Sequence, residues 1–433
     1  MSAIARNEHA SEVSWVLDKG AWGGLSRGNV FSTATPGRSK VRLKRERPPH
    51  VAFIMETSMA HGREILHGVA EYVRENGPWT VHLDQRSLED PPPPWIKDWQ
   101  GDGILARLSP ALAEAVLKTG IPTVDLDDQA PSSGLPTVQC DHEAIGRLAA
   151  EHLLERGFSR FAFLGYPQFG WSKRRFEGFT ARIREAGFDC EEYQEAQPVT
   201  WGHQLVSWES EIDAVARWIA AQPKPLGLMS CNDFRGIQAL DACRRAGVSV
   251  PEEVAVIGVD NETLACELAY PALSSVIPDC RRIGYQAAEM LDRMMRGERP
   301  AGPRHDVAPI GVAVRASTDV MAIADPLVAD AMRFIRERAC EGIRVEDVLD
   351  QVSVSRSVLQ RRFRKAVGQT VHDAIARVRL RRVKELLSET DLSLSAVADR
   401  AGFAHVEYLS AAFRKATGST PGTYRREHRS CRA

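Results

Sequence analysis

Four apolar runs in this chain end in side chains that hydrogen-bond. HVAFIME (50–56) runs on into Thr57 and Ser58, GDGILARL (101–108) carries Arg107, PLGLMSCND (225–233) closes on Asn232 and Asp233, and VAVIGVDNE (254–262) closes on Asp260, Asn261 and Glu262. Arg235 follows Asp233 by two residues, and Arg175 opens a helical stretch beside Trp171. Asp and Asn at a strand end also serve as caps for the next helix, which accounts for any one of them but not for the set. Carboxylate, amide and guanidinium groups brought together with an aromatic ring suit a small polyhydroxylated ligand. Its vicinal hydroxyls take paired hydrogen bonds and its C–H face stacks on the ring. Phosphate chemistry is not suggested: no apolar run leads into G-x-G-x-x-G or G-x-x-x-x-G-K-[ST], and GYPQFGW (165–171) has the wrong spacing. Nor does any nucleophile–base pair stand out. The eight cysteines, at 140, 190, 231, 243, 266, 280, 340 and 431, include no C-x-x-C pair, so neither a zinc site nor a disulfide framework is expected.

What could hold the polar residues at one rim is a repeated alternation of strand and helix. The apolar runs, with IPTVDLDD (121–128) and RFAFLGY (160–166), read as buried strands. Between them lie helix-like stretches at 62–77, 142–157, 174–187, 235–247 and 281–297, several closing in glycine. Such alternation implies parallel, doubly wound sheets, here in two lobes, with the polar strand ends sharing the rim where ligands bind. Residues 1–47 have neither period and end in the basic run SKVRLKRERPP, so they are expected to form a disordered basic tail.

A chain of 433 residues exceeds one core and calls for two or three domains. No stretch reaches the roughly 18 apolar residues of a membrane span, and the first residues lack a signal-peptide core, which makes the cytoplasm the expected compartment. The formal charge of −1 hides an asymmetry: residues 331–433 hold 21 Lys+Arg against 12 Asp+Glu, whereas 51–330 hold 26 against 41. A basic carboxyl-terminal domain on an acidic body points to a polyanionic partner.

That domain contains an internal repeat. LQRRFRKAVGQT (359–370) and LSAAFRKATGST (409–420) match at seven of twelve positions. Each copy is preceded by a short helix-like stretch, VEDVLDQV (345–352) and LSAVADRAG (394–402), through the joints SVS and FAH. Helix, tight joint and second helix make a helix-turn-helix unit, whose second helix can enter a major groove. VHDAIARVRLRRVKELLSE (371–389) reads as a helical strut between the two units. Arg356, Arg361, Arg362, Arg364, Lys365, Arg414 and Lys415 lie on or beside the second helices, where they could neutralise phosphates.

Two resemblances sharpen these expectations. Residues from about His50 to Asp319 resemble the sugar-binding domain of LacI-type regulators and periplasmic sugar receptors, through DHEAIGRLAAEHLLERGFSRFAFLGY, SKRRFEGF, CNDFRGIQAL, and IGVDNE followed by LSSVIPD. The likeness implies two α/β lobes joined by three crossings, with Arg175, Asp233, Arg235 and Asp260 as the main cleft contacts and Glu56, Ser58, Phe169 and Trp171 around them; Asn261 joins them by its place at the end of the last strand. The end of the chain resembles the AraC-type DNA-binding domain, most closely over AGFAHVEYLSAAFRKATGSTPGTYRR (401–426). That likeness implies base reading by Ser357, Gln360 and Arg361 in the first unit and by His405, Glu407 and Tyr408 in the second. Arg356, Lys365 and Lys415 would meet the backbone. Ala411 stands where members often carry Arg, so base preference there does not transfer.

The expected boundaries are 48–319 for the sensor, 320–326 for a linker and 327–429 for the DNA-binding domain. A sugar sensor ahead of an AraC-type reader is similar to the activators of xylose operons. By that likeness the partners are operator DNA, D-xylose or a related sugar, RNA polymerase and a second copy of the chain, with no cofactor, metal or membrane. The alternatives are the same DNA-binding role under another sugar or small metabolite, and an enzyme on a doubly wound fold.

Overall fold

The computed structural model describes residues 47–429, apart from 88–89, 128, 130–132, 195–207, 301, 321 and 324. Except for Arg47, the expected basic tail lies outside the described residues.

Two six-stranded sheets form the body. In the first, the order is β2 (Thr80–Asp84) at one edge and then β1 (His50–Ile54), β3 (Gly103–Ala106), β4 (Thr123–Asp125), β5 (Thr137–Cys140) and β11 (Arg304–Val307), all parallel. In the second, the order is β7 (Cys190–Glu192), β6 (Phe161–Leu164), β8 (Leu226–Ser230), β9 (Val254–Val259), β10 (Ser274–Ile277) and β12 (Gly311–Ala313), with only β12 antiparallel. Strands β3, β6, β8 and β9 are buried at every residue, as covering both faces with helices demands. The six expected strands are all present. Strands β2, β5, β7, β10, β11 and β12 lack a long apolar run: TVQC and SSVI are buried by their neighbours in the sheet, not by their own hydrophobicity.

The chain passes between lobes three times, after β5, after β10 and between β11 and β12. Each lobe contains one very close helix pair. In the first lobe α1 (Ala60–Asn76) meets α8 (Cys280–Met294) where Gly68 and Gly284 face each other; a Cβ on either would lie 1.9 Å from a backbone oxygen of the partner helix. In the second, α3 (His142–Leu154) meets α4 (Gly170–Glu185) through Gly146 and Gly178, where a Cβ would come within 2.1 Å of Arg175 O and Glu143 O. The second contact sets the depth of α4, and α4 carries Arg175.

Val320, Ala322 and Ile323 pack against the body. Val320 and Ile323 are buried, Ala322 N–H donates to Arg156 O, and Asp325 caps α9 (Pro326–Arg338). Helix α9 leads into two units, α10 (Val345–Val352) with α11 (Arg356–Val367) and α13 (Leu394–Arg400) with α14 (Val406–Thr417), joined by α12 (Val371–Glu389) and closed by α15 (Pro421–Arg429). The repeat is visible in three dimensions. Leu359 and Phe363 fill the first core, Leu409 and Phe413 the second, and Gly368 and Gly418 end their helices in the left-handed region with N–H groups donating to Arg364 O and Arg414 O. Helix α12 places Ala374 and Ile375 in one core and Val383, Leu386 and Leu387 in the other.

Candidate functional site

The site begins where β9 stops. Asp260 and Asn261 both have positive φ, 104° and 51°, a conformation that costs residues with a Cβ about 1–3 kcal/mol each and persists only when its surroundings impose it. Three hydrogen bonds do so here. Asp260 N–H donates to Val276 O at 3.1 Å, Asn261 N–H to Ser275 Oγ at 2.9 Å, and Glu262 N–H to Asp233 Oδ2 at 2.7 Å. The other oxygen of Asp233 accepts from Ser275 Oγ at 2.6 Å. Asp233 therefore builds the turn that aims Asp260. Burial, and then the charge of Asp260, pushes the Asp233 carboxyl up to about 7.

The cleft between the lobes encloses about 930 Å³, mouth included. On the second-lobe side, Asp260 accepts from Arg175 Nη2 at 3.1 Å. Arg175 also donates to Cys231 O and, through Nε, to His142 Nδ1 at 3.3 Å, and its guanidinium lies 5.1 Å from the Trp171 ring centroid. Trp171 in turn stacks on Phe169, with centroids 5.6 Å apart and planes 12° apart. On the first-lobe side, Arg107 donates to Asp127 at 2.7 Å, and Glu56, His61, Gln139 and Cys140 complete the wall. Burial and then Arg107 lower the His61 imidazole to about 3, so it is neutral. His142 is lowered by burial and Arg175. The cleft thus holds two Arg–carboxylate pairs, one from each lobe, beside a stacked aromatic wall. This is the hydrogen-bonding and stacking set a small polyol needs.

Six of the nine named cleft residues line it: Asp233, Asp260, Arg175, Glu56, Trp171 and Phe169. Three do not. Arg235 is fully buried inside the second lobe, paired with Glu211 at 2.7 Å, bonded to Gln238 and lying 4.7 Å from the Tyr166 ring centroid, because its position on α6 (Asp233–Arg245) turns it into the core. Ser58 is exposed and donates its hydroxyl to Glu56 Oε1. Asn261 is turned away by the positive-φ bend and accepts from Arg315 at 2.8 Å. Sequence reasoning missed His61, Asp127, Gln139, His142 and Phe234 in the wall. Asp127 had a visible signal, a carboxylate ending IPTVDLDD; Gln139 and His61 had none, since their strand and helix ends come together only in the fold. Glu262 does something else again. Its carboxylate accepts from Ala60 N–H, the uncapped start of α1, and pairs with Arg63 at 2.9 Å, so it latches one lobe to the other.

On the carboxyl-terminal domain, Arg356, Ser357, Gln360, Arg361 and Lys365 are exposed on α11, and His405, Glu407, Tyr408 and Lys415 are exposed on or at the start of α14. Their helices are the second members of the two units. Arg356 is paired with Glu346, and the His405 and Tyr408 rings lie 5.6 Å apart. Arg362 differs from its neighbours: it is half-buried and pairs with Asp325, the cap of α9.

Comparison with known proteins agrees with this geometry. Residues 150–318 match the periplasmic binding protein-like domain and residues 348–427 a helix-turn-helix domain. The chain is 33% identical over 388 residues to the xylose operon regulatory protein of Escherichia coli K12, covering 87% of this chain and 96% of that one. It is 30% identical to the protein of the same name from Haemophilus influenzae, covering 87% and 97%. The solved structure of the xylose-binding transcription activator superposes with a TM-score of 0.75 at 31% identity, covering 88% of this chain and 98% of that one. The chain belongs to the family of xylose operon regulatory proteins, DNA-binding transcriptional regulators and not enzymes.

Proposed function

We propose that the cleft binds an aldopentose, D-xylose first among them, and that its occupancy controls transcription of sugar-catabolism genes. The observation that carries this reading is the pair of buried Arg–carboxylate couples, Arg175–Asp260 and Arg107–Asp127, set on opposite lobes beside the Phe169–Trp171 stack. Each couple offers donor and acceptor together to neighbouring hydroxyls, and the aromatic wall takes the C–H face. Glu56 supplies a further acceptor, and Asp233 acts mainly by holding the bend at Asp260. The names of the relatives support xylose over another polyol.

In this reading the protein acts as a homodimer. Ligand closure shifts the relative arrangement of two DNA-binding domains, which then engage operator DNA and favour RNA polymerase as an activator does. Ser357, Gln360, Arg361, His405, Glu407 and Tyr408 face base edges, while Arg356, Lys365 and Lys415 meet phosphates. A thermal-shift panel of pentoses and hexoses on the full chain tests the ligand. D-Xylose at a hundred times its Kd stabilises the sensor by about 2.7 kcal/mol, and sugars that do not bind leave it unmoved. A panel in which no pentose raises the melting temperature contradicts the reading.

A further inference from the structure

Three residues far apart in the chain, His61, Cys140 and Cys280, meet at the floor of the cleft. They come from the first turn of α1, the last residue of β5 and the first residue of α8. Their ligand atoms all lie within 4.8 Å of one another, with His61 Nδ1 3.3 Å from Cys280 Sγ. Both cysteines are buried, at 2% and 5% exposure. Among the described residues this is the one such group of three. The absence of a C-x-x-C spacing hid it, because the elements that carry these residues become neighbours only when α8 folds back across β5 and α1.

We propose that this trio is a binding site for a thiophilic d¹⁰ cation of the Zn²⁺ type. Two sulfurs and one imidazole nitrogen are the donor set such an ion selects over the oxygen-loving Mg²⁺ and Ca²⁺. Tetrahedral bonds of about 2.0–2.3 Å place ligand atoms roughly 3.5–3.8 Å apart, so the trio closes around an ion by contracting about 1 Å or less. Charge also balances. A divalent ion with two thiolates and an imidazole sums to zero, and the two thiol protons leave to solvent. Two of the wall's carboxylates already hold cations, Asp127 with Arg107 and Asp260 with Arg175. His61 and Cys140 also line the cleft, so a bound ion keeps one side toward it for water or a hydroxyl.

The test uses the reduced, chelator-treated full-length protein and the metal alone. Co²⁺ titration is expected to produce a thiolate-to-cobalt charge-transfer band in the near ultraviolet that saturates at one ion per chain and is abolished by Zn²⁺. Zinc binding is expected to release about two protons per chain near neutral pH. Cys280→Ser and His61→Gln should each weaken zinc affinity at least about tenfold, whereas Cys340→Ser, a thiol in the other domain, should not. Because a variant could fail to fold, the band and the proton count on the unaltered protein stand by themselves. Absence of a thiolate band, or zinc retained undiminished by a folded Cys280→Ser protein, overturns the proposal.

Discussion

Asp260 and Arg235, two charged residues of the second lobe, divide between binding and structure. Asp260→Ala removes a carboxylate that faces the cleft and leaves Arg175 with an unmatched buried charge, so D-xylose affinity should fall by about 1–3 kcal/mol in calorimetry. Arg235→Ala strips Glu211 of its partner deep in the second lobe and should cost about 3–5 kcal/mol of folding stability in denaturant titrations. Both were visible as polar residues at or just past a strand end. Strand-end position alone does not tell which of two neighbouring residues faces the rim, so Arg235 and Asn261 were placed in the cleft although the helix rotation turns the first into the core and the bend turns the second away. His152 gives a pH-dependent signature at the same scale. Burial, with Arg156 nearby, lowers its imidazole to about 3, against 6.5 when exposed. As pH falls below 6.5 the unfolded chain takes up that proton first, so the stability His152 contributes is present above 6.5 and lost progressively toward 3. Asp233, with its raised carboxyl, works in the opposite direction, so the difference between proteins is the useful quantity. Between pH 6.5 and 5 the unaltered protein should lose roughly 1–2 kcal/mol in all relative to His152→Gln. Parallel denaturation curves of the two proteins across that range would refute the assignment.

At the scale of elements, the parallel strands and the long helices were legible because each carries its own periodicity or apolar run. The duplicated helix-turn-helix was legible because its repeat is written in the sequence. What was not legible is close approach: nothing in GRLAAEHLLERG reveals that Gly146 sits against Arg175 O. The fold makes it testable. Gly146→Ala puts a methyl group 2.1 Å from that oxygen, so α4 must move away, at a cost of about 1–3 kcal/mol of stability. Arg175 shifts with it, and sugar affinity should drop in calorimetry although the substituted residue lies outside the cleft. The recognition helices make a second test at this scale. Arg361 and Lys365 are both exposed on α11, one turn apart. Arg361→Ala should cost about 1–3 kcal/mol and relax preference at one or two base pairs, whereas Lys365→Ala should weaken all sequences alike and reduce the salt slope by about one unit. Footprints and salt titrations separate them, and uniform weakening by Arg361→Ala would reassign it to phosphate.

At the scale of the whole molecule, polar and partly buried contacts tie the sensor to the DNA-binding domain. Glu252, 2% exposed, pairs with Arg336 of α9; Arg333 donates to Ser249 at 3.0 Å; and Asp319, at the end of the sensor, takes Arg336 on its carbonyl and Arg381 of α12 on its carboxylate. These fasten the struts of the reader to the second lobe, the lobe that carries Asp260. Glu262 fastens that lobe to the first across the cleft mouth. A ligand that changes how the lobes meet therefore acts on a body to which the reader is firmly attached, and by linkage DNA changes sugar affinity by the same factor. The most direct test is the affinity of the full-length protein for promoter DNA of the xylose genes, measured by fluorescence anisotropy at fixed salt with and without saturating D-xylose. The unaltered protein should bind about tenfold or more tightly with the sugar, and Asp260→Ala should lose that gain while keeping its sugar-free affinity. Equal affinities with and without D-xylose, or a gain that survives in Asp260→Ala, would contradict control of DNA binding through this cleft.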